Sequence, residues 1–374
     1  VIKLSVIAVN HNSSSLLKEC FSSIVSAIGN EPFEFFAIDS GSDEEDVKNL
    51  RNLEKDNVTI ILNNENIGYA RAVNTGIKKA KGDLILITNP DVVYMPGSIR
   101  NMSHVLKQFP RCGAVGPRTW WNRNMTFLLP YSDPFTPHRR LETGLMRISH
   151  VMNNIILKKW IRKMLRFWLS EEPLKQETLS GACIMTTQKV LGDVGGFDDS
   201  FPLYFEDTDW CVRVRKAGYY LYLAPDAKII HYYNQSAGQD TETSQKKFDE
   251  SLNLYMGKHY RSQLWLINTM TKLFEDRHNR VLKEYNDLGR VTSPPAFSFT
   301  DRSKKLFLLS PVDILIPSAG SFFENKTFQI PEDLWSLLSE GRYFAKGFDL
   351  VHSQFCGSWS WMRHAPAKSR GRNK

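Results

Sequence analysis

The sequence predicts an α/β protein built on a mainly parallel sheet flanked by helices. Two observations carry this. Apolar runs of strand length alternate with helical periodicities through the first ninety residues, and alternating strands and helices imply parallel strands with helical crossovers. Each strand-like run also ends in a polar, loop-forming cluster, as expected where the carboxyl ends of parallel strands form one ligand-facing mouth.

Residues 4–9 form the first apolar run. Residues 13–28 follow with Leu17, Cys20, Phe21, Ile24 and Ile28 on one helical face. Asn12 or Ser13 can cap that helix, because a short side-chain oxygen accepts a free N–H of the first turn. Strands are expected at 33–38, 58–62 and 83–88, with helices at 43–53 and 69–80, the last ending near Gly82. The stretch 118–177 breaks the beat and is rich in Arg, Lys and Trp, which marks an insertion. A strand-like run resumes at 179–186. A turn at 195–198, a short helix at 207–217 stopped by Gly218, and a strand at 219–224 follow. Helical patterns run from about 244 to 288, and Ser293-Pro294-Pro295 breaks the chain again. The expected organisation is a main domain over 1–240, a helical extension over 241–292, a small unit over 293–367, and a disordered basic tail over 368–374.

Composition narrows the class. At 42% hydrophobic and 24% charged the 374 residues suit a folded globular chain. A formal net charge of +8 points to an anionic partner: nucleic acid, a membrane surface or phosphorylated substrates. The five cysteines are widely spaced with no CxxC pair, which argues against a disulfide framework or a structural zinc and fits buried thiols in a reducing cytosol. Residues 1–9 run directly into Asn10-His11-Asn12 and do not read as a signal peptide. The run 306–323 is interrupted by Pro311, Asp313 and Pro317, so a membrane would be met only at its surface. The expected location is cytoplasmic, with peripheral attachment to the inner face of the cell membrane as an option.

Three groups of residues could carry chemistry. Asp91, in Asn89-Pro90-Asp91 after a buried strand, can hold a divalent cation against phosphates, since magnesium or manganese needs only one or two protein carboxylates. A plain turn or cap aspartate is the alternative. Glu206, Asp207 and Asp209 cluster at a helix start beside Tyr204, Phe205 and Trp210. Acids there complement the helix dipole, but three of them beside aromatics also suit a general base with neighbours that orient it. His231 ends an apolar run and is a candidate metal or phosphate ligand, or a structural histidine.

The order and wording of six pieces resemble the family 2 glycosyltransferases, the rhamnosyltransferase-like branch in particular. They are SVIAVNHN (5–12), AIDSGSDE (37–44), NNENIGYARAVNTGI (63–77), GDLILITNPDV (82–92), the long piece from LSGACIMTT to RKAG (179–218), and APDAKIIHYYNQSAG (224–238). The resemblance implies the GT-A nucleotide-diphospho-sugar transferase fold and a C-terminal extension outside it. It implies a nucleotide-sugar donor held by Asn10, Asn12, Asp39, Asn66, Gly68, Arg71, Asn89 and Gly181. It implies a manganese or magnesium ion on Asp91 and His231, with Asn89 standing where the family's motif begins with Asp. Asp207 matches the catalytic base, with Glu206 beside it; Asp209, Trp210 and Tyr204 would face the acceptor. The implied activity is inverting transfer of a sugar, rhamnose from dTDP-rhamnose first and UDP-sugars second, onto a glycan or lipid-linked glycan for cell-surface polysaccharide. A nucleotidyltransferase is disfavoured because Asn10-His11-Asn12 replaces its Gly- and Arg/Lys-rich loop. A non-catalytic sugar-nucleotide or glycan-binding module is the rival of another class. Nucleic-acid binding has no motif behind it, and the oligomeric state is not readable.

Residues 155–169 (IILKKWIRKMLRFWL) form a basic amphipathic helix. Trp160, Lys163 and Trp168 are its candidate contacts with an anionic membrane. The competing expectation is a helix packed on its own domain with a solvated basic face.

Overall fold

A computed structural model of the chain describes residues 3–233, 241–265, 269 and 285–364. The described chain divides into two compact units: 3–119, 131–135, 165–233 and 241–265 make the first, and 120–130, 136–164, 269 and 285–364 the second. The basic tail at 368–374 and part of the expected 241–292 helical stretch lie outside the described residues.

The first unit opens as β1 (Leu4–Asn10), α1 (Ser14–Ile28), β2 (Phe33–Ser40), α2 (Glu44–Arg51), β3 (Val58–Asn63), α3 (Tyr69–Lys79) and β4 (Leu84–Thr88). β5 (Val92–Tyr94), α4 (Ser98–Gln108) and β6 (Cys112–Trp120) follow. The chain then forms two long helices, α5 (Pro137–Ile148) in the second unit and α6 (His150–Trp168), which belongs to it as far as Met164, and the first unit resumes with β7 (Leu174–Gln176), β8 (Cys183–Thr187), α7 (Gln188–Val194), α8 (Glu206–Lys216), β9 (Tyr220–His231) and α9 (Thr241–His259). The sheet order is β3-β2-β1-β4-β8-β6-β9-β5, with β7 also on β9. β1 to β4 are mutually parallel. β8 runs antiparallel to β4 and β6, and β5 and β7 antiparallel to β9. The parallel character therefore belongs to the first half, where crossover helices join the strands, and the second half is mixed.

Strand alternation explains the two layers. In β1, Val6 and Ala8 join a core with Leu17, Phe21 and Ile24 of α1, while Ile7 and Val9 join another with Val73 of α3 and Trp210 of α8. Both faces of β1 are covered, so all seven residues are buried. Capping differs from the sequence expectation. Ser13 stands at the N-cap of α1 without a side-chain cap bond. Instead Asp46 Oδ1 of α2 accepts the Ser14 N–H at 2.9 Å, so the first turn is satisfied from across the mouth.

The second unit holds β10 (Asn286–Val291), β11 (Ala296–Ser298), β12 (Lys305–Ser310), β13 (Ala319–Phe323), β14 (Thr327–Gln329), β15 (Gly341–Asp349) and β16 (Gln354–Arg363). Five of these make a sheet in the order β10-β16-β15-β12-β13, and β11 pairs with β14. Residues 286–291, expected at the end of a helical stretch, are thus an edge strand beside β16. Phe297, Phe307, Trp335 and Trp361 form its aromatic core. The start of the expected insertion joins this unit: Leu128 bridges Gly320, and Asp333 accepts two Asn122 bonds at 2.9 and 3.0 Å.

α6 corrects the expectation that its tryptophans meet lipid. Trp160 and Trp168 are 3% and 1% exposed, buried with Ile156, Leu157, Ile161 and Met164, so the apolar face is spent on the protein's own packing. Lys163 is exposed. All five cysteines are free thiols and four are buried. Among the described residues no helix is long and apolar enough to cross a membrane.

Candidate active site

The carboxyl ends of β1 and β2 are tied by a polar knot. Asn10 Nδ2 donates to Asp39 Oδ1 (2.8 Å), Ser42 Oγ (3.1 Å) and Asp46 Oδ2 (2.6 Å). Asp39, 1% exposed, also accepts from Ser42 Oγ (2.6 Å) and Ser42 N–H (3.1 Å). Burial works to raise the Asp46 pKa, but bonds from Ser14, Asn10 and Ser42 outweigh it and hold this carboxyl below its ordinary value. Asn12, left-handed at φ 49°, fixes the same loop by accepting the Asp43 N–H at 2.9 Å. Asn66 Oδ1 accepts from Ser40 Oγ (3.2 Å) and the Gly68 N–H (3.0 Å). A Cβ on Gly41 would come within 2.5 Å of the Asn66 backbone nitrogen, so glycine is required where these loops cross. The predicted Asn10, Asn12, Asp39, Asn66 and Gly68 therefore lie at one mouth. Arg71 points elsewhere, to an exposed pair with Asp199 at 3.2 Å, a kind of contact worth little.

Asp91 and His231 are brought together by strand pairing. β5 begins directly after Asp91 and pairs Val92 with His231 at the end of β9, and the Tyr232 N–H donates to Asp91 O at 3.1 Å. This leaves His231 Nε2 3.3 Å from Asp91 Oδ1, with side-chain exposures of 10% and 1%. Asn89 is held by its N–H donating to Ala182 O at 2.9 Å, next to the Gly181 loop. Among the described residues no group of three His, Cys, Asp or Glu side chains could close a metal site. A two-ligand Asp–His set nevertheless fits a magnesium or manganese ion that takes its other ligands from phosphates and water.

The start of α8 supplies the other carboxylates. Asp207 Oδ2 accepts the Gly181 N–H at 2.6 Å, and its Oδ1 accepts the Thr208 N–H at 2.6 Å. A Cβ on Gly181 would stand 3.0 Å from Asp207 Cβ and Oδ2, so only glycine leaves this approach relaxed. Glu206 is 6% exposed, and its Oε2 meets no hydrogen-bond partner among the described residues. Burial first, and then the charge of Asp207, push its pKa up to about 8. Burial also raises Asp207, against the bonds from Gly181 and Thr208.

Tyr69 links these groups, and the sequence reading missed it. Its hydroxyl donates to Gly181 O at 3.0 Å. Burial, and then the charges of Glu206, Asp207 and Asp91, push its phenol well above the ordinary value. The Gly181–Ala182 loop ties the groups together: Gly181 O accepts from Tyr69, the Gly181 N–H donates to Asp207, and Ala182 O accepts from Asn89, two residues before Asp91. The signal available for Tyr69 was its place at the first position of α3, right after Gly68.

Two tentative acceptor residues are corrected. Asp209 is fully buried and accepts from Arg213 Nε (2.7 Å), Lys258 Nζ (2.8 Å) and His259 Nε2 (2.7 Å). Trp210 is fully buried, donates to Gly195 O at 3.0 Å and packs edge-on to Phe197. Neither can meet an acceptor; their work is anchoring. Tyr204 is half-buried, and it and Phe205 both hold left-handed backbone at φ 68° directly before Glu206. Such strain persists only where surroundings over-determine it. Here α9 does so: Phe248 packs on Tyr204 and Phe205, Tyr255 on Phe205, and Ser251 Oγ donates to Leu203 O at 2.7 Å. The helix expected as part of an extension is a brace of the acidic cluster.

Residues 5–166 match the family model "Glycosyl transferase family 2", a range that stops before Glu206. An N-acetylglucosaminyl-diphospho-decaprenol L-rhamnosyltransferase of Mycobacterium tuberculosis is 27% identical over 222 residues, 54% of this chain and 68% of that protein. The low-salt glycan biosynthesis hexosyltransferase Agl10 of Haloferax volcanii is 25% identical over 280 residues, 73% of this chain and 78% of its own. Among solved structures, a mannosyltransferase of Pyrobaculum calidifontis, in complex with GDP-Man and Mn2+, aligns over 69% of this chain and 64% of its own at 17% identity, with a TM-score of 0.45. Residues 5–166 therefore carry the sequence of a family 2 glycosyltransferase domain, and the central sheet flanked by helices, with further strands beyond it, agrees with the GT-A fold that the resemblance implies.

Proposed function

We propose that this glycosyltransferase is an inverting, divalent-cation-dependent enzyme that moves rhamnose from dTDP-rhamnose to a hydroxyl of a glycan or lipid-linked glycan in cell-surface polysaccharide synthesis. The observation that carries the reading is the Gly181–Ala182 loop, which holds Asp207 through the Gly181 N–H and Asn89, two residues before Asp91, through the Ala182 carbonyl, with His231 beside Asp91. Asp207 is the base: its oxygens are fixed by the Gly181 and Thr208 N–H groups, and the side chain is partly buried rather than sealed in the core, unlike its neighbours Glu206 and Asp209. It takes the proton of an acceptor hydroxyl as the oxygen attacks the anomeric carbon from the face opposite the leaving diphosphate, so one displacement inverts the centre. Glu206, dry and protonated to about pH 8, keeps a second negative charge away from Asp207 during the approach. Asp91 and His231 would hold a manganese or magnesium ion, which when bound supplies charge neutralisation for the departing diphosphate. The rhamnosyl donor and lipid-linked acceptor rest on the names of the mycobacterial relative and its like; a UDP-sugar is the second donor class. The Asp207 and Gly181 geometry argues against a module that only binds sugar nucleotides.

The test is a panel of dTDP-, UDP- and GDP-sugars with manganese, read by nucleotide release and by NMR of the product anomer. Acceptor-dependent release with an inverted anomer supports the reading. A retained anomer, or binding without release across the panel, would contradict it.

A further inference from the structure

The burial of Trp160 and Trp168 leaves the opposite stripe of α6 facing outward. Val151, Ile155, Lys159, Arg162 and Arg166 follow at spacings of four, four, three and four, so they line one side of the helix. Val151 and Ile155 are 67% and 56% exposed, and Leu169, just beyond the helix on the same line, is 55% exposed. Lys159 is exposed although its ammonium also reaches Glu142 at 2.9 Å, and Arg162 and Arg166 are exposed. Between Glu142 and Glu171 the sequence has six Lys and Arg residues and no Asp or Glu, against a net charge of +8 for the whole chain. Positive charge is therefore concentrated on and around this helix, with aliphatic side chains at both ends of its outward line.

We propose that this outward stripe of α6 is the docking surface for an anionic membrane, with the arginines and Lys159 at lipid phosphates and Val151, Ile155 and Leu169 in the headgroup–acyl boundary. Charge alone would suit a nucleic acid equally. Exposed aliphatics flanking the cations favour lipid, because they gain on leaving water only where an apolar layer receives them. The inference goes beyond the proposed chemistry and stands on different residues, so either can fail alone.

The test is co-sedimentation of the full chain with phosphatidylcholine vesicles, with and without 30% phosphatidylglycerol, in low and high salt. Each basic residue at an anionic surface is worth roughly fivefold in partition. Arg162→Glu/Arg166→Glu is therefore expected to lose at least tenfold, and Val151→Ser/Ile155→Ser several-fold. The control Lys78→Glu/Lys79→Glu, on α3, makes the same charge change and is expected to lose less than threefold. Thermal midpoints verify that each variant is folded, and transfer to a water-soluble acceptor is expected to stay at the wild-type rate. Binding confined to anionic vesicles and lost in the α6 variants supports the proposal. No wild-type pelleting, equal loss in the control, or preferential retention on DNA-cellulose would overturn it.

Discussion

Glu206→Gln tests whether the acidic cluster is as dry as its surroundings imply. Below about pH 4.5, the ordinary glutamate value, the folded and unfolded chains both hold the Glu206 proton and its burial costs nothing extra. Between about 4.5 and 8 the unfolded chain has released the proton while the folded chain keeps it. Each pH unit then removes about 1.4 kcal/mol of stability. Above about 8 the loss levels off. Glutamine has nearly the same shape and never titrates, so its advantage starts near zero at pH 4.5 and reaches about 3 kcal/mol at neutral pH. For a domain of this size that is on the order of 5–10 °C in melting temperature. The assay is melting of both proteins at pH 5, 6, 7 and 8 in EDTA, which keeps cations from masking the carboxylates. A difference that stays flat across this range would refute the burial argument. A rise in stability accompanied by reduced turnover would match the cost expected of a strained, dehydrated active site.

Other substitutions probe the remaining parts. Gly181→Ala places a methyl 3.0 Å from Asp207, so turnover should fall at least tenfold while the Kd for nucleotide, measured by calorimetry, moves little. Asp91→Ala should remove the manganese-dependent part of nucleotide binding; an unchanged Kd with and without manganese counts against the metal assignment. Asp209 is held down at about 2 because bonds from His259, Lys258 and Arg213 outweigh its burial. Its depressed value contributes about 2 kcal/mol above pH 3.8 that disappears as pH falls toward 2. An acid titration of Asp209→Asn should lack that component of the wild-type curve.

The first half of the sheet was legible because local and global signals agree there. Apolar runs, helical faces and polar strand ends all follow the periods that β1 to β4 and α1 to α3 require. The mouth residues Asn10, Asp39 and Asp91 were readable from the rule that ligands gather at strand ends. What failed was inward against outward. Asp209 and Trp210 share a motif with Asp207, but successive helix residues point about 100° apart, so two of them face the core. The same ambiguity put Trp160 and Trp168 on the lipid side of α6, when a helix with one apolar face spends it on the protein first. The brace by α9 depends on pairing between distant segments. Its spacing of Phe248, Ser251, Tyr255 and His259 marks one face, yet nothing local names the Tyr204–Phe205 turn it grips.

The claim on which the rest depends is that Asp207 accepts the acceptor's proton beside a donor held at Asp91. Single-turnover transfer and nucleotide affinity, measured together on Asp207→Asn, address it most directly. The transfer step is expected to fall about 100- to 10,000-fold, with nucleotide Kd within about threefold of the parent, a change of less than about 0.7 kcal/mol. Transfer within a few-fold of the parent, or a matching collapse in nucleotide affinity, would contradict it.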